Sequence, residues 1–197
     1  MDPLEALAVL ISIAAVWWTT ARNWLCWPVG LVSVLLYAWI FFRARLYSDA
    51  LLQLVYAGLQ CYGWWQWRTA PAAAQLPIVR QPGLRALAGG VILGAAGAIG
   101  LGALMSRYTN AALPWLDAAL TAFSLVAQYW MARLYRANWL LWIAVDVIYV
   151  GVYVVRGLPL TAALYAGFVV LAALGWWRWA PRRVSTKTQR GAPSIAG

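Results

Sequence analysis

Residues 23–67 read NWLCWPVGLVSVLLYAWIFFRARLYSDALLQLVYAGLQCYGWWQW. This stretch contains two long apolar runs, and the short connection between them carries Arg43 and Arg45. A helix that crosses the hydrocarbon core of a bilayer, roughly 30 Å thick, needs about 20 mostly apolar residues. Each run meets this requirement, so the pair predicts two successive transmembrane helices.

The rest of the chain has the same character. Of its 197 residues 64% are apolar and 10% are charged, far from the composition of soluble domains. Seven segments satisfy the length requirement for a membrane span: residues 4–21, 24–42, 47–67, 84–105, 113–132, 138–155 and 159–179. The sequence therefore predicts an all-α integral membrane protein with seven transmembrane helices.

Composition also argues against several functional classes. The chain has no histidine and only two cysteines, Cys26 and Cys61, both inside apolar segments, where we interpret them as packing residues. We therefore expect no metal site, no cofactor and no catalytic acid–base constellation. The net charge of +10 comes mostly from arginines at segment ends rather than from a cluster typical of nucleic-acid binding.

The distribution of basic residues predicts the orientation in the membrane. If the N-terminus lies outside, eleven Lys and Arg residues fall on the cytoplasmic side and four on the other. The positive-inside rule favours this arrangement, with the C-terminus in the cytoplasm. The polar stretch 181–197 is expected to be a disordered cytoplasmic tail.

Two strings are repeated along the chain. NWLCW at residues 23–27 matches NWLLW at 138–142, 115 residues later, and GWWQW at 63–67 matches GWWRW at 175–179, 112 residues later. The matches predict a three-helix bundle at 1–67, a loop plus linker helix at 68–112 and a second bundle at 113–180. One intervening helix makes the repeat parallel, a 3+1+3 arrangement similar to that of the SWEET sugar transporters.

Polar and aromatic residues line one face of several predicted helices at helical spacing. The candidate binding residues from these faces are Gln53, Tyr56, Gln60 and Trp64 in segment three, Gln128 in segment five, Asn138, Trp142, Asp146 and Tyr149 in segment six, and Tyr165 in segment seven. Polar groups in a bilayer are costly unless they face each other or a wet cavity. The faces therefore predict a shared polar interior, or simply hydrogen bonds between helices.

Asp146 and the tryptophans near segment ends have different interpretations. Asp146 lies well inside segment six with no basic residue at that depth, so it predicts either a protonated acid or a site that accepts a cation, which nearby rings would help to bind. We expect Trp24, Trp65, Trp67, Trp177 and Trp179 to belong to aromatic belts at the membrane surface.

The strings NWLLW at 138–142, LYSDALLQ at 46–53 and YGWWQW at 62–67, together with the repeat, resemble the PnuC family of nicotinamide riboside transporters. The resemblance implies facilitated diffusion of nicotinamide riboside across the inner membrane, trapping by a cytoplasmic kinase and a homotrimer. It matches the family's W-x-x-W element to Trp139 and Trp142, preceded by Asn138. It also implies that Gln53, Gln60 and Gln128 contribute to the pocket.

Two positions depart from the family pattern. Asp146 and Leu174 stand where the resemblance implies asparagine. A carboxylate suits a pyridinium cation, but it suits thiamine equally well, so a thiamine or other vitamin transporter of the same superfamily remains the alternative. A structural protein without a ligand is a third hypothesis, and it predicts that the polar faces tolerate leucine. For a transporter we expect the two three-helix bundles to rock around a midplane site.

Overall fold

The structure is a computed structural model that describes residues 3–43, 45, 47–69, 78–109 and 112–180. Within those residues the chain forms seven α-helices: α1 Pro3–Thr20, α2 Cys26–Arg43, α3 Tyr47–Arg68, α4 Leu84–Tyr108, α5 Pro114–Ala132, α6 Asn138–Val155 and α7 Pro159–Arg178. Each corresponds to one predicted segment, with ends that differ by at most three residues. The predicted disordered tail, residues 181–197, lies outside the described residues.

Helices α2, α4, α6 and α7 are long and apolar enough to cross a membrane, and α1 contains a shorter apolar stretch, Ala6–Thr20. Helices α3 and α5 do not meet the same criterion. Polar residues lower the mean hydropathy of a helix, and α3 contains Asp49, Gln53, Gln60 and Gln66, while α5 contains Asp117 and Gln128. A polar face on a helix that packs inside a bundle is compatible with the membrane, because it need not contact lipid.

The two halves of the chain repeat at one offset. The first residues of α2 and α6 are 26 and 138 and their last residues are 43 and 155, so both ends differ by 112. The turns follow the same rule: Arg22 and Leu134 have φ of 57° and 59°, and Arg45 and Gly157 have φ of 61° and 69°. This left-handed backbone is uncommon in residues other than glycine. The matching turns show that the repeat extends beyond the tryptophan motifs.

The single offset corrects the register that the NWLxW strings suggest. At 112 residues Trp27 corresponds to Trp139, whereas the string match pairs Trp27 with Trp142. Trp27 packs edge-on against Trp67, with ring centroids 5.2 Å apart at 83°, and Trp139 packs against Trp179 at 5.3 Å and 87°. The offset of the strings, 115 residues, exceeds the structural offset of 112 by three residues, which is close to one helical turn. Residues one turn apart lie on the same helix face, so the string match does not reveal the shift.

The two halves meet through equivalent contacts. Helix α3 packs against α5, and α7 packs against α1. The indole Nε1 of Trp67 donates to the Ala132 carbonyl at the end of α5 over 3.1 Å, and Nε1 of Trp179 donates to the Thr19 carbonyl near the end of α1 over 3.3 Å. Each half therefore contributes one tryptophan that closes the last turn of a helix in the other half.

These tryptophans form the centre of the core. Trp67 and Trp179 lie 6.0 Å apart and join the two edge-on pairs into one chain of four rings. Trp67 is 3% exposed and Trp179 is fully buried, so their predicted place in a surface belt is wrong; Trp24, Trp65 and Trp177 are exposed. The contacts of α3 with α5 and of α7 with α1 at this end bury both rings. Cys26 is buried as predicted, but Cys61 is exposed.

Helix α4 lies against α5 through its glycines. The face of α4 at Gly90, Gly94 and Gly102 receives the rings of Trp130, Phe123 and Trp115. Glycine lets a large ring approach the helix backbone where any side chain would collide with it. This packing holds α4 against α5.

Candidate functional site

The polar faces of α3, α5 and α6 meet at Tyr56, Ser124 and Asp146. The hydroxyl of Tyr56 in α3 lies beside that of Ser124 in α5, and the Asp146 carboxylate of α6 lies close enough to interact electrostatically with the Tyr56 hydroxyl. Ser124 and Asp146 are each 5% exposed. The structure therefore brings a carboxylate and two hydroxyls from three helices together inside the bundle.

A second polar layer consists of Gln60, Gln128 and Trp142. Each lies four residues, about one helical turn, from Tyr56, Ser124 or Asp146 in the same helix. Helices α3 and α5 end side by side, as the bond from Trp67 to Ala132 requires, and α6 runs in the opposite direction. The four-residue spacing therefore puts the three side chains in the next layer toward that end. Gln128 is buried, and Gln60 and Trp142 are half-buried.

Gly30 of α2 makes room for the amide of Gln60. A Cβ atom built on Gly30 would lie 2.5 Å from Nε2 of Gln60. At the equivalent positions of the second half, 112 residues later, stand Trp142 and Ala172. One half thus presents an amide at this level and the other an indole, so the interior is chemically asymmetric although the helices repeat.

Several buried polar atoms have no hydrogen-bond partner within the described part of the chain. They are Nε1 of Trp27, Trp64, Trp139 and Trp142, Oδ1 of Asn138 and Nε of Arg133. The Nδ2 group of Asn138 donates to the Tyr135 carbonyl over 2.7 Å, which leaves its amide oxygen as the open acceptor. An unpaired buried donor or acceptor costs about 1–3 kcal/mol. Such groups are suited to bind a polar ligand.

On the other side of Asp146 three tyrosines pack together. The rings of Tyr149 and Tyr153 in α6 lie 4.8 Å and 5.2 Å from the ring of Tyr165 in α7, and Phe168 packs edge-on against Tyr165 at 6.0 Å. The carboxylates of Asp117 and Asp146 interact electrostatically with Tyr149. Aromatic rings and carboxylates together form an environment that favours a cation.

No cation of the described chain compensates Asp146. Within the described residues Asp146 forms no ion pair with an arginine and accepts no hydrogen bond, although it lies near the hydroxyls of Tyr56 and Tyr149. The described residues also contain no group of three metal-binding side chains. Asp146 is therefore available to interact with a ligand.

Trp139 lies apart from the polar layers. Its ring fills the space above Gly175 and is 1% exposed within the tryptophan core. The other predicted residues, including Gln53, are at least half-buried, and none lies on the exposed surface. Their role in binding stays a prediction, and the position of Trp139 favours a packing role for that residue.

Comparison with known proteins gives the family. The family model described as nicotinamide mononucleotide transporter matches residues 2–181. The chain belongs to the nicotinamide mononucleotide transporter family. Members of this family are membrane transporters rather than enzymes. This confirms the prediction that the chain is a transporter and the prediction that it is not an enzyme.

The chain is also similar to individual vitamin transporters. The chain is 25% identical to the nicotinamide riboside transporter PnuC of Escherichia coli, over 98% of this chain and 90% of that protein. It is 30% identical to the riboflavin/roseoflavin transporter RibM of Streptomyces davaonensis, over 88% of this chain and 83% of that protein. A crystal structure of the vitamin B3 transporter PnuC superposes with a TM-score of 0.73 at 26% identity, covering 89% of this chain and 80% of that one.

Sequence reasoning omitted some residues that the structure brings into this transporter's polar interior. Ser124 and Tyr153 lie on the predicted polar faces, so helical spacing could have included them. Gly30 carried no comparable signal, because its importance comes from the side chain that it lets approach from another helix.

Proposed function

We propose that this family member transports nicotinamide riboside by facilitated diffusion. The observation that carries the proposal is Asp146, a buried carboxylate without a cationic partner in the described chain, surrounded by tyrosines and hydroxyl groups. Nicotinamide riboside is a pyridinium cation with a carboxamide and a ribose. A carboxylate with aromatic neighbours matches its charge, and the open donors and acceptor match its polar groups.

Each predicted residue receives a role in this proposal. Asp146 balances the pyridinium charge, with Tyr56, Tyr149 and Tyr165 around it. Gln53, Gln60 and Gln128 bind the carboxamide or the ribose, and Trp64 and Trp142 donate their free indole N–H groups to ligand oxygens. The open oxygen of Asn138 accepts an N–H group. Trp139 belongs to the tryptophan core against which Trp142 packs, and it does not contact the ligand.

A different vitamin is the second candidate. The 30% identity to a riboflavin/roseoflavin transporter favours a site that can change its ligand within one fold. Thiamine, also a cation, would suit Asp146 as well as nicotinamide riboside does. Riboflavin is uncharged, so its binding would gain nothing from the Asp146 carboxylate. The effect of removing this carboxylate on the binding affinity therefore distinguishes riboflavin from the two cations.

For the mechanism, we propose that the helices form a 3+1+3 parallel repeat of the SWEET type and that the two three-helix bundles rock against each other. Equal helix bounds at an offset of 112 and the reciprocal tryptophan bonds support this arrangement. In a parallel repeat the pseudo-twofold axis runs along the membrane normal, so two similar bundles that tilt about a midplane site can separate at one end while they approach at the other.

We also propose how the protein lies in the membrane and how it assembles. All seven helices cross the inner membrane, with the N-terminus outside and the C-terminus in the cytoplasm, as the distribution of arginines predicts. The protein assembles as a homotrimer, and a cytoplasmic kinase traps the transported vitamin by phosphorylation.

The test is a comparison of two ligands that differ in charge. Nicotinamide riboside and its uncharged dihydro form are titrated against the purified protein, with tryptophan fluorescence as the signal. We expect Asp146→Asn to weaken binding of the cation about tenfold, equivalent to about 1.4 kcal/mol, and to leave binding of the dihydro form within twofold. Asp49→Asn removes an exposed carboxylate of α3 and serves as the control.

Equal effects of Asp146→Asn on both ligands would contradict the role of charge. Tighter binding of thiamine than of nicotinamide riboside would keep the cation site and change the substrate. Binding of riboflavin alone, unaffected by Asp146→Asn, would overturn the proposed function.

A further inference from the structure

A basic groove lies between the ends of α1 and α7, away from the polar layers. Its volume is about 430 Å³, and it is lined by Trp17, Thr20, Ala21, Arg22 and Arg178. Trp17 is 45% exposed, and Trp177, next to Arg178 in the chain, is 78% exposed. Helix ends with exposed indole rings are typical of the level of lipid headgroups.

The guanidinium of Arg178 is held in a defined position within this groove. Its NH1 group donates to the Thr20 hydroxyl over 2.7 Å, and its carbon lies 4.6 Å from the centre of the Trp17 ring. An arginine has five N–H donors, and one of those of Arg178 has an acceptor within the described residues. The other donors are available to an anion, and no carboxylate of the described chain forms an ion pair with Arg178.

Packing of the bundle does not require these charges. At the equivalent contact, between α5 and α3, the positions corresponding to Arg22 and Arg178 are Leu134 and Gln66, and Thr20 corresponds to Ala132. Leu134 adopts almost the same left-handed backbone as Arg22, with φ of 59° against 57°. The equivalent helix ends therefore pack without arginines at these two positions, and the basic groove belongs to the contact between α1 and α7.

We propose that this groove binds the phosphate group of an anionic phospholipid. Arg178 provides guanidinium donors whose geometry suits phosphate, and Arg22 adds positive charge to the groove. The Thr20 hydroxyl donates to the Trp17 carbonyl and accepts from Arg178, so it holds the guanidinium in place. Trp17 lines the groove and is 45% exposed, so it offers an apolar surface beside the charges, which favours a lipid over free phosphate. The proposal is independent of the transported substrate.

The test uses the full chain purified in detergent and titrated with phosphatidylglycerol, phosphatidylcholine or inorganic phosphate, with native mass spectrometry to count bound lipid. We expect phosphatidylglycerol to bind at least fivefold more tightly than phosphatidylcholine, and millimolar inorganic phosphate not to displace it. Arg178→Gln, which copies Gln66 of the other half, should weaken phosphatidylglycerol binding about fivefold. Arg68→Gln removes an arginine at the same end that stacks on Trp24, outside the groove, and should leave binding unchanged.

Thermal unfolding in phosphatidylglycerol and phosphatidylcholine nanodiscs provides a second measurement. The anionic lipid should raise the melting temperature of the wild type and of Arg68→Gln, but not of Arg178→Gln. Equal binding of the two lipids, displacement by inorganic phosphate, or equal losses in Arg178→Gln and Arg68→Gln would each overturn the proposal.

Discussion

At the residue scale, Gly30 and Gln60 form a contact between two helices that shapes the polar interior. Gly30 has no side chain, and the Gln60 amide occupies the space where one would be. At the equivalent positions of the second half the sizes are reversed. Trp142 of α6 has the large side chain, and Ala172 of α7 has the small one. The chain thereby places two different hydrogen-bonding groups, an amide and an indole, at equivalent levels of the two halves.

Gly30→Ala should move the Gln60 amide without unfolding the protein. The new methyl group would lie 2.5 Å from Nε2 of Gln60, which is at the end of a flexible side chain and can rotate away. We expect the affinity for nicotinamide riboside to fall about three- to tenfold, the value of one lost hydrogen bond, with a melting temperature within 2–4 °C of wild type. Calorimetric titration measures the affinity, and an affinity unchanged in Gly30→Ala but reduced in Gln60→Leu would contradict the predicted displacement.

At the element scale, each half contains a glycine covered by a tryptophan ring. Gly63 of α3 contacts the ring of Trp27, and Gly175 of α7 contacts the ring of Trp139. Both rings are 1% exposed, so they have no open space into which to move. The GWWxW motif therefore has a structural explanation: its glycine receives a ring from the neighbouring helix, and its last tryptophan packs edge-on against that ring.

Gly175→Ala should destabilise the protein, whereas Gly167→Ala in the same helix should not. The first substitution forces a methyl group into the Trp139 ring, and overpacking of this kind costs about 1–3 kcal/mol. Gly167 has open space around its Cβ position, so alanine there should stabilise α7 by about 0.5–1 kcal/mol. Thermal unfolding in one detergent checks both, and Gly63→Ala against Gly58→Ala repeats the comparison in α3. Equal melting temperatures for Gly175→Ala and Gly167→Ala would contradict the packing described here.

At the scale of the whole molecule, the four tryptophans of the core close one end of the bundle. They connect α2, α3, α6 and α7, and the bonds from Trp67 and Trp179 tie each half to the other. Buried Cys26 belongs to the same cluster. A rocking movement that opens this end must separate the Trp67 and Trp179 rings, and it would expose Cys26 to water.

Labelling of Cys26 by a thiol reagent should report this opening. In a Cys61→Ser background, Trp179→Phe removes the bond to Thr19 and should raise the labelling rate about fivefold, as expected for a loss of about 1 kcal/mol. Trp177→Phe changes an exposed ring and should have no effect. Saturating nicotinamide riboside should also change the rate, because the ligand shifts the balance between conformations. Equal labelling rates in all these proteins would show that this end does not open.

Much of this architecture could be predicted from apolar segment lengths and tryptophan strings, because both follow directly from the thickness of a bilayer and from repetition. The register of the repeat could not be predicted in this way. The NWLxW strings pair Trp27 with Trp142, whereas the structure pairs Trp27 with Trp139, about one helical turn away. The polar faces indicated Gln60, Gln128 and Asp146, because helical spacing reveals them. Burial of Trp67 and Trp179 depends on contacts between the two halves, which local sequence does not contain.

The most direct test of the central claim is uptake of labelled nicotinamide riboside into lipid vesicles that contain the purified protein. With no ion gradient, we expect uptake to level off when inside and outside concentrations are equal, to be blocked by excess unlabelled nicotinamide riboside and to fall at least tenfold in Asp146→Asn at substrate concentrations below saturation. Enclosing a riboside kinase with ATP should then drive accumulation of the phosphorylated product. Uptake no faster than in protein-free vesicles, or accumulation that requires an ion gradient, would contradict facilitated diffusion of nicotinamide riboside.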